Sequence, residues 1–157
     1  MLGIEEALDQ AHYTFEARRA MGQAVEAVRQ RKGNIITPDH LALGLLQANV
    51  RASQYVTDFG IDPKALAERI AGSMPPPQGK SRAEYPMDPR TKAILRVAYS
   101  RAVADHGRKM TSVDILIGVL RDEGSDLARL LVSEGLSARA VERAFEEDPD
   151  RARWSLE

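Results

Sequence analysis

The segment Thr37–Leu46, TPDHLALGLL, returns 74 residues later as Thr111–Leu120, TSVDILIGVL. Each copy opens with a threonine suited to cap a helix. The apolar positions then coincide: Leu41 with Ile115, Leu43 with Ile117, Leu45 with Val119 and Leu46 with Leu120. Each copy also places a glycine mid-helix, Gly44 and Gly118. A glycine inside a helix costs roughly 1 kcal/mol against alanine. Two at matched positions predict that another backbone passes close to each. A chain that builds one helical unit twice must bury both apolar faces, and the natural solution is to pack the copies together.

The match extends outward. Upstream, Met21 pairs with Leu95, Ala24 with Ala98, Val28 with Ala102 and Gly33 with Gly107. Downstream, after one inserted residue, Val56 pairs with Leu131, Gly60 with Gly135, Ile61 with Leu136 and Leu66 with Val141. The predicted division is an arm or extra helix at 1–12, a first repeat at 13–71, a Pro-rich linker at 72–87, a second repeat at 88–147 and a charged tail at 148–157. The fold class expected is all-α, with two pseudo-symmetric four-helix repeats packed as one domain.

Local signals place the helices. The first long helix is expected at about Phe15–Arg31, with Phe15, Met21, Ala24, Val25 and Val28 inward and Gly33 ending it as a left-handed residue. Thr37 caps the next helix, Pro38 suits its first turn, and Asp39 suits its positive end. Asp62 and Pro63 repeat that signature, as do Asp88 and Pro89. Prolines 75–77 and Pro86 keep the linker extended. Trp154 is expected to dock only loosely.

The chain has 157 residues, enough to bury a core, and no cysteine, so disulfide and thiolate chemistry are excluded. A net charge of −1 argues against a strongly polyanion-seeking protein. Arg18, Arg19, Arg29, Arg31 and Lys32 therefore read as a solvated face, and a DNA-binding regulator is the weaker alternative. No apolar run approaches the roughly 20 residues of a membrane span, and the acidic N-terminus lacks a leader pattern. The expected location is cytoplasmic, with no membrane partner. Gly79-Lys80-Ser81 resembles the tail of a phosphate-binding loop, but Met74 stands where the first glycine belongs. His40 adjoins Asp39, yet consecutive helical residues do not face each other, so a packed histidine is expected. Neither catalytic signature nor metal or cofactor motif is visible; the chain reads as no enzyme.

At TPDHLALGLL, and at the FGID that follows the next short helix, the sequence resembles the N-terminal domain of Clp-type AAA+ ATPases, the double Clp N repeat. The resemblance covers about Tyr13–Glu146. Repeat two departs from it, with Val113 and Asp114 where the family has Glu and His. The resemblance implies a non-catalytic module that binds protein or peptide substrates, Clp adaptors or a Clp ATPase–protease complex. It also implies a possible stand-alone decoy that sequesters cyclic-peptide antibiotics or adaptors. The Gram-positive branch binds phosphorylated arginine. Carried over by position, that would set Thr14 with Asp39 in one pocket and Asp88 with Val113 in a second. The candidate ligand-binding surface is Leu2, Tyr13, Thr14, Phe15, Asp39, Met87, Asp88, Lys92 and Arg96, brought together by a pseudo-two-fold axis.

Overall fold

The computed structural model describes residues 7–76 and 84–155. Leu2 and the Gly79–Ser81 stretch lie outside them. A 3-10 turn, Gln10–His12, precedes α1 (Phe15–Gln30), α2 (Pro38–Gln47), α3 (Arg51–Asp58) and α4 (Pro63–Ser73). The same order returns as α5 (Pro89–Ala104), α6 (Ser112–Arg121), α7 (Asp126–Ser133) and α8 (Ala138–Glu147), followed by a short α9 (Arg151–Trp154). The protein is all-α; the only extended pairings among the described residues are two single parallel bridges, Tyr13 with Met110 and Ile36 with Met87.

The two echoing segments become α2 and α6, the buried centre of the molecule. Leu41, Leu43 and Leu45 of α2 and Ile115, Ile117 and Val119 of α6 are all 0–1% exposed. One continuous apolar core joins both repeats. The mid-helix glycines are explained by close approach. A Cβ on Gly44 would lie 2.4 Å from the Ala20 carbonyl oxygen and 2.7 Å from the Ala24 nitrogen. On Gly118 it would lie 2.8 Å from the Ile94 carbonyl oxygen. α1 and α5 therefore cross their central helices at backbone contact.

Three expectations need correction. Phe15 does not face inward; it is 69% exposed, because at 3.6 residues per turn it lies on the side of α1 opposite the buried Ala17 and Ala24. The left-handed residue ending α1 is Lys32 (φ 52°), which lets the Gly33 N–H reach the Val28 carbonyl at 2.8 Å. Gly33 is small for another reason: a Cβ there would meet Val28 Cγ1 at 3.2 Å and the His40 ring at 3.5 Å. Trp154 is firmly docked at 4% exposure. Its indole N–H donates to Asp148 Oδ2 at 3.1 Å, which also accepts from the Tyr55 hydroxyl at 2.7 Å. Burial alone would raise the Asp148 pKa, but these donors and the Asp150 N–H bring it below the usual carboxylate value.

Candidate functional site

The residues before each repeat's first helix pair with the residues before the other repeat's central helix. At one junction Thr14 N–H donates to the Met110 carbonyl (2.9 Å) and Met110 N–H to that of His12 (2.7 Å). At the other, Asp88 N–H donates to the Ile36 carbonyl (3.0 Å) and Ile36 N–H to that of Pro86 (2.9 Å). These are the same bonds shifted by one repeat. They cross the expected pockets over: Thr14 faces the start of α6, where Val113 sits, and Asp88 faces the start of α2, where Asp39 sits. The physical reason is that an extended segment satisfies its backbone by pairing with the nearest other extended segment, and the pseudo-two-fold packing supplies it from the opposite repeat.

The first junction is closed by Glu16. Its carboxylate accepts from the Ser112 N–H at 2.6 Å, the Arg51 N–H at 3.0 Å, the Thr14 hydroxyl at 3.0 Å and the Ser112 hydroxyl. Ser112 and Arg51 are the first residues of α6 and α3, whose N–H groups lack intrahelical partners and carry positive potential. Thr14 is 0% exposed, and its hydroxyl also caps α1 by accepting from Ala17 N–H. Tyr13 is 1% exposed and donates its hydroxyl proton to the Ala7 carbonyl at 2.6 Å.

The second junction carries the opposite charge pattern. Arg90 takes the place of Glu16 and pairs with Asp122 at 2.9 Å. Asp88 caps α5, accepting from the Arg90 N–H at 2.7 Å. Burial raises the pKa of Asp39, and Asp126 adds to that, against the pull of Arg31 and Arg90. Asp39 lines a cavity of about 240 Å³ with Arg31, Thr37, His40 and Met74.

Both central helices start in a capping box. At α2 the Thr37 hydroxyl accepts from His40 N–H, and His40 Nδ1 accepts from Thr37 N–H at 3.1 Å. Burial, reinforced by Arg31, lowers the His40 pKa to about 4, consistent with an accepting, neutral ring. At α6 the partner is Asp114, 0% exposed, which accepts from Thr111 N–H at 2.9 Å and receives Arg108 through two bonds of 2.6 and 2.9 Å.

The outer surface is different in kind. Phe15 is the most exposed large apolar side chain among the described residues, with the Arg18 guanidinium 5.5 Å from its ring. Met87 and Asp88 are half-buried, while Lys92 and Arg96 are exposed. The arginines of α1 and of its C-terminal cap make hydrogen bonds within the fold: Arg18 on the Gln10 carbonyl, Arg19 on that of Asn49, Arg29 on Glu26 and the capping Arg31 on the Ala71 carbonyl. No group of three or more His, Asp or Glu among the described residues could hold a metal ion.

This doubled helical plan can be compared with known proteins. The model of the Clp repeat (R) N-terminal domain family matches residues 12–147. The chain belongs to this family. Among solved structures, the N-domain of ClpV from Vibrio cholerae is similar, with a TM-score of 0.74 at 16% identity over 92% of this chain and 87% of that one. The N-terminal domain of ClpV1 from E. coli EAEC gives 0.71 at 20% identity, covering 98% and 96%. The Hsp104 N-terminal domain of Candida albicans gives 0.64 at 15%, covering 83% and 87%. At these identities the likeness is one of fold.

Glu16, Arg51 and Arg108 of this Clp repeat domain escaped the sequence reading. An acidic residue in a first helical turn is common, so Glu16 gives no sign that it bridges repeats. Arg108 sits in an apparently ordinary polar loop. The one available signal was Asp114, an acidic residue amid an apolar run that had to find a partner.

Proposed function

We propose that this Clp repeat domain is a non-catalytic module that captures segments of partner proteins on the surface around Phe15. The observation that carries this reading is Phe15 itself: a phenylalanine 69% exposed at the start of α1, beside the cationic Arg18. Exposed aromatic and arginine side chains are the types that anchor interfaces. Two similar structures support it by what they contain. One is a complex of the ClpV N-domain with a VipB peptide, at 17% identity and a TM-score of 0.72. The other is described as a peptide from the SciI protein of the EAEC Sci1 type VI secretion system.

Phe15 and Arg18 are the residues through which segments, adaptors or cyclic peptides would first be read, and Met87, Asp88, Lys92 and Arg96 at the start of α5 form a second candidate patch. Leu2 of the N-terminal arm, outside the described residues, is proposed to contact the same ligand. Tyr13 and Thr14 hold the backbone of the Phe15 surface. The Thr14 hydroxyl is committed to Glu16 and Ala17, and Glu16 would repel a phosphoryl group beside it, so phosphoarginine is not assigned to that junction. Whether the domain receives clients for an unfoldase or sequesters ligands follows from which ligand binds.

The test is to screen the domain against immobilised peptide segments and cyclic peptides, then titrate the binders by calorimetry. Phe15→Ala is expected to weaken binding by about tenfold or more while leaving the melting temperature unchanged. Unaltered affinity would remove Phe15 from the site.

A further inference from the structure

The two long helices differ on their outward faces. α1 presents Arg19, Gly22 and Gln23, whereas α5 presents Ala93, Arg96 and Val97 at the same register. Val97 is 41% exposed. At 3.6 residues per turn Ala93, Val97, Ser100 and Ala104 form one narrow stripe along α5, and all four are exposed. The stripe opens into a groove of about 180 Å³ between α5 and α6, walled by Arg90, Ala93, Val97, Arg121 and Asp122 over a floor of Ile94 and Gly118. That volume falls below the ~300 Å³ where small-molecule pockets begin and suits a single apolar side chain.

The rim is cationic. Arg90 and Arg121 stand on one flank, Arg96 and Lys92 on the other. Arg90 is paired with Asp122, with side chains 56% and 30% exposed, and Arg121 with Glu142, with side chains 46% and 20% exposed. Exposed pairs of this kind are weak in water, so an incoming carboxylate can exchange with either. Asp122 and Glu142 are each already held by an arginine of the rim, and Arg96 and Lys92 stay exposed beside the stripe for an acidic ligand.

We propose that this α5–α6 groove is a docking site for an acidic peptide segment of a partner protein, which seats one apolar side chain over Gly118 between Arg90 and Arg121. Its carboxylates would lie along Arg90, Arg121 and Arg96. The site deepens the peptide-binding reading by adding a second seat, and it stands or falls independently of Phe15.

The probe is a fluorescein-labelled amphipathic peptide of Glu and Leu, with a Lys-for-Glu twin as control. Binding is read by anisotropy and by amide shifts in nitrogen-15 spectra of the whole chain. The expected result is saturable shifts at Ala93, Val97 and Gly118, about tenfold weaker binding for Val97→Asp and for Arg90→Glu/Arg96→Glu, and no change for Phe15→Ala. Thermal melts check that the variants remain folded. Capture of the Lys twin by the Arg90→Glu/Arg96→Glu variant would further support charge-led docking. Equal binding of both peptides to the parent chain, or shifts confined to the Phe15 surface, would overturn the proposal; the latter would leave the Phe15 reading intact. Concentration-dependent self-association abolished by Val97→Asp would also overturn it, since the occupant would then be a second copy.

Discussion

α2 begins on a neutral imidazole and α6, one repeat later, begins on a buried carboxylate. His40 closes its box with hydrogen bonds alone, beside the glycine turn at Gly33. Asp114 closes the matching box as half of an ion pair with Arg108, whose side chain is 9% exposed. Duplication supplied one geometry, and the two copies satisfy it with different chemistry. A hydrogen-bonded neutral cap tolerates loss of a partner, whereas a desolvated charge does not. Arg108→Ala leaves Asp114 buried with the Thr111 N–H and hydroxyl as donors and, among the described residues, Arg101 Nε 3.7 Å away as the remaining cation. It is expected to destabilise by about 3–5 kcal/mol in urea unfolding, against roughly 1 kcal/mol for His40→Ala as a lost cap. Equal losses would mean that the two boxes are energetically alike despite their chemistry.

The same contrast predicts a pH dependence at the α2 box. His40 titrates near 4 when folded and near 6.5 when unfolded. Between these values the unfolded chain binds the extra proton, so stability rises with pH. The advantage of the neutral ring is complete above pH 6.5 and is lost as pH falls through about 4. Asp105 and Asp148 are lowered below the ordinary carboxylate value and lose their contribution in more acid solution. Chemical denaturation at a series of pH values should show the upper window for the parent chain and a flatter one for His40→Gln. A parent profile already flat between pH 4 and 6.5 would place a protonated ring in the folded box.

What the sequence disclosed and what it hid divide along the same line. Periodicity, Thr caps and the Gly44/Gly118 pair are local or repeated signals, and they were enough for the all-α plan and its central helices. The face of Phe15 was misjudged because its apolar type was read ahead of its position: the 3.6-residue period sets it opposite Ala17 and Ala24, on the side of Arg18 and Gly22. The backbone pairing across repeats was not foreseen because position-by-position transfer treats each repeat as self-contained. The backbone pairing of Thr14 with Met110 and of Asp88 with Ile36 is long-range, and nothing within either repeat records it.

The helix crossings offer a smaller and graded comparison. Gly44 and Gly118 are equivalent, but the Gly44 crossing is tighter by several tenths of an ångström and meets backbone at both Ala20 and Ala24. At Gly118 one of the near atoms is the Ile94 side chain, which can move. Gly44→Ala is expected to cost about 2–3 kcal/mol through overpacking, net of the helix propensity that alanine adds, and Gly118→Ala about 1 kcal/mol. Thermal melts of the two variants decide it; the reverse order would show that α1 yields more readily than α5.

Glu16 and Arg90 close the comparison, since they occupy the same turn with opposite charge. Glu16 is bound from four directions and ties the starts of α3 and α6 to α1. Arg90 is more than half exposed and holds one partner, Asp122. Glu16→Gln keeps the shape but removes the charge from two helix N-termini and turns one acceptor oxygen into an amide donor facing N–H groups. The expected loss is about 1–2 kcal/mol, whereas Arg90→Gln should stay within about 0.5 kcal/mol as an exposed pair. Hydrogen exchange locates the difference. Glu16→Gln should speed exchange at the first turns of α3 and α6, in opposite repeats, while Arg90→Gln leaves both unchanged. Faster exchange in α1 alone would mean that Glu16 serves its own helix and that the repeats are held together by the apolar core and the two backbone bridges.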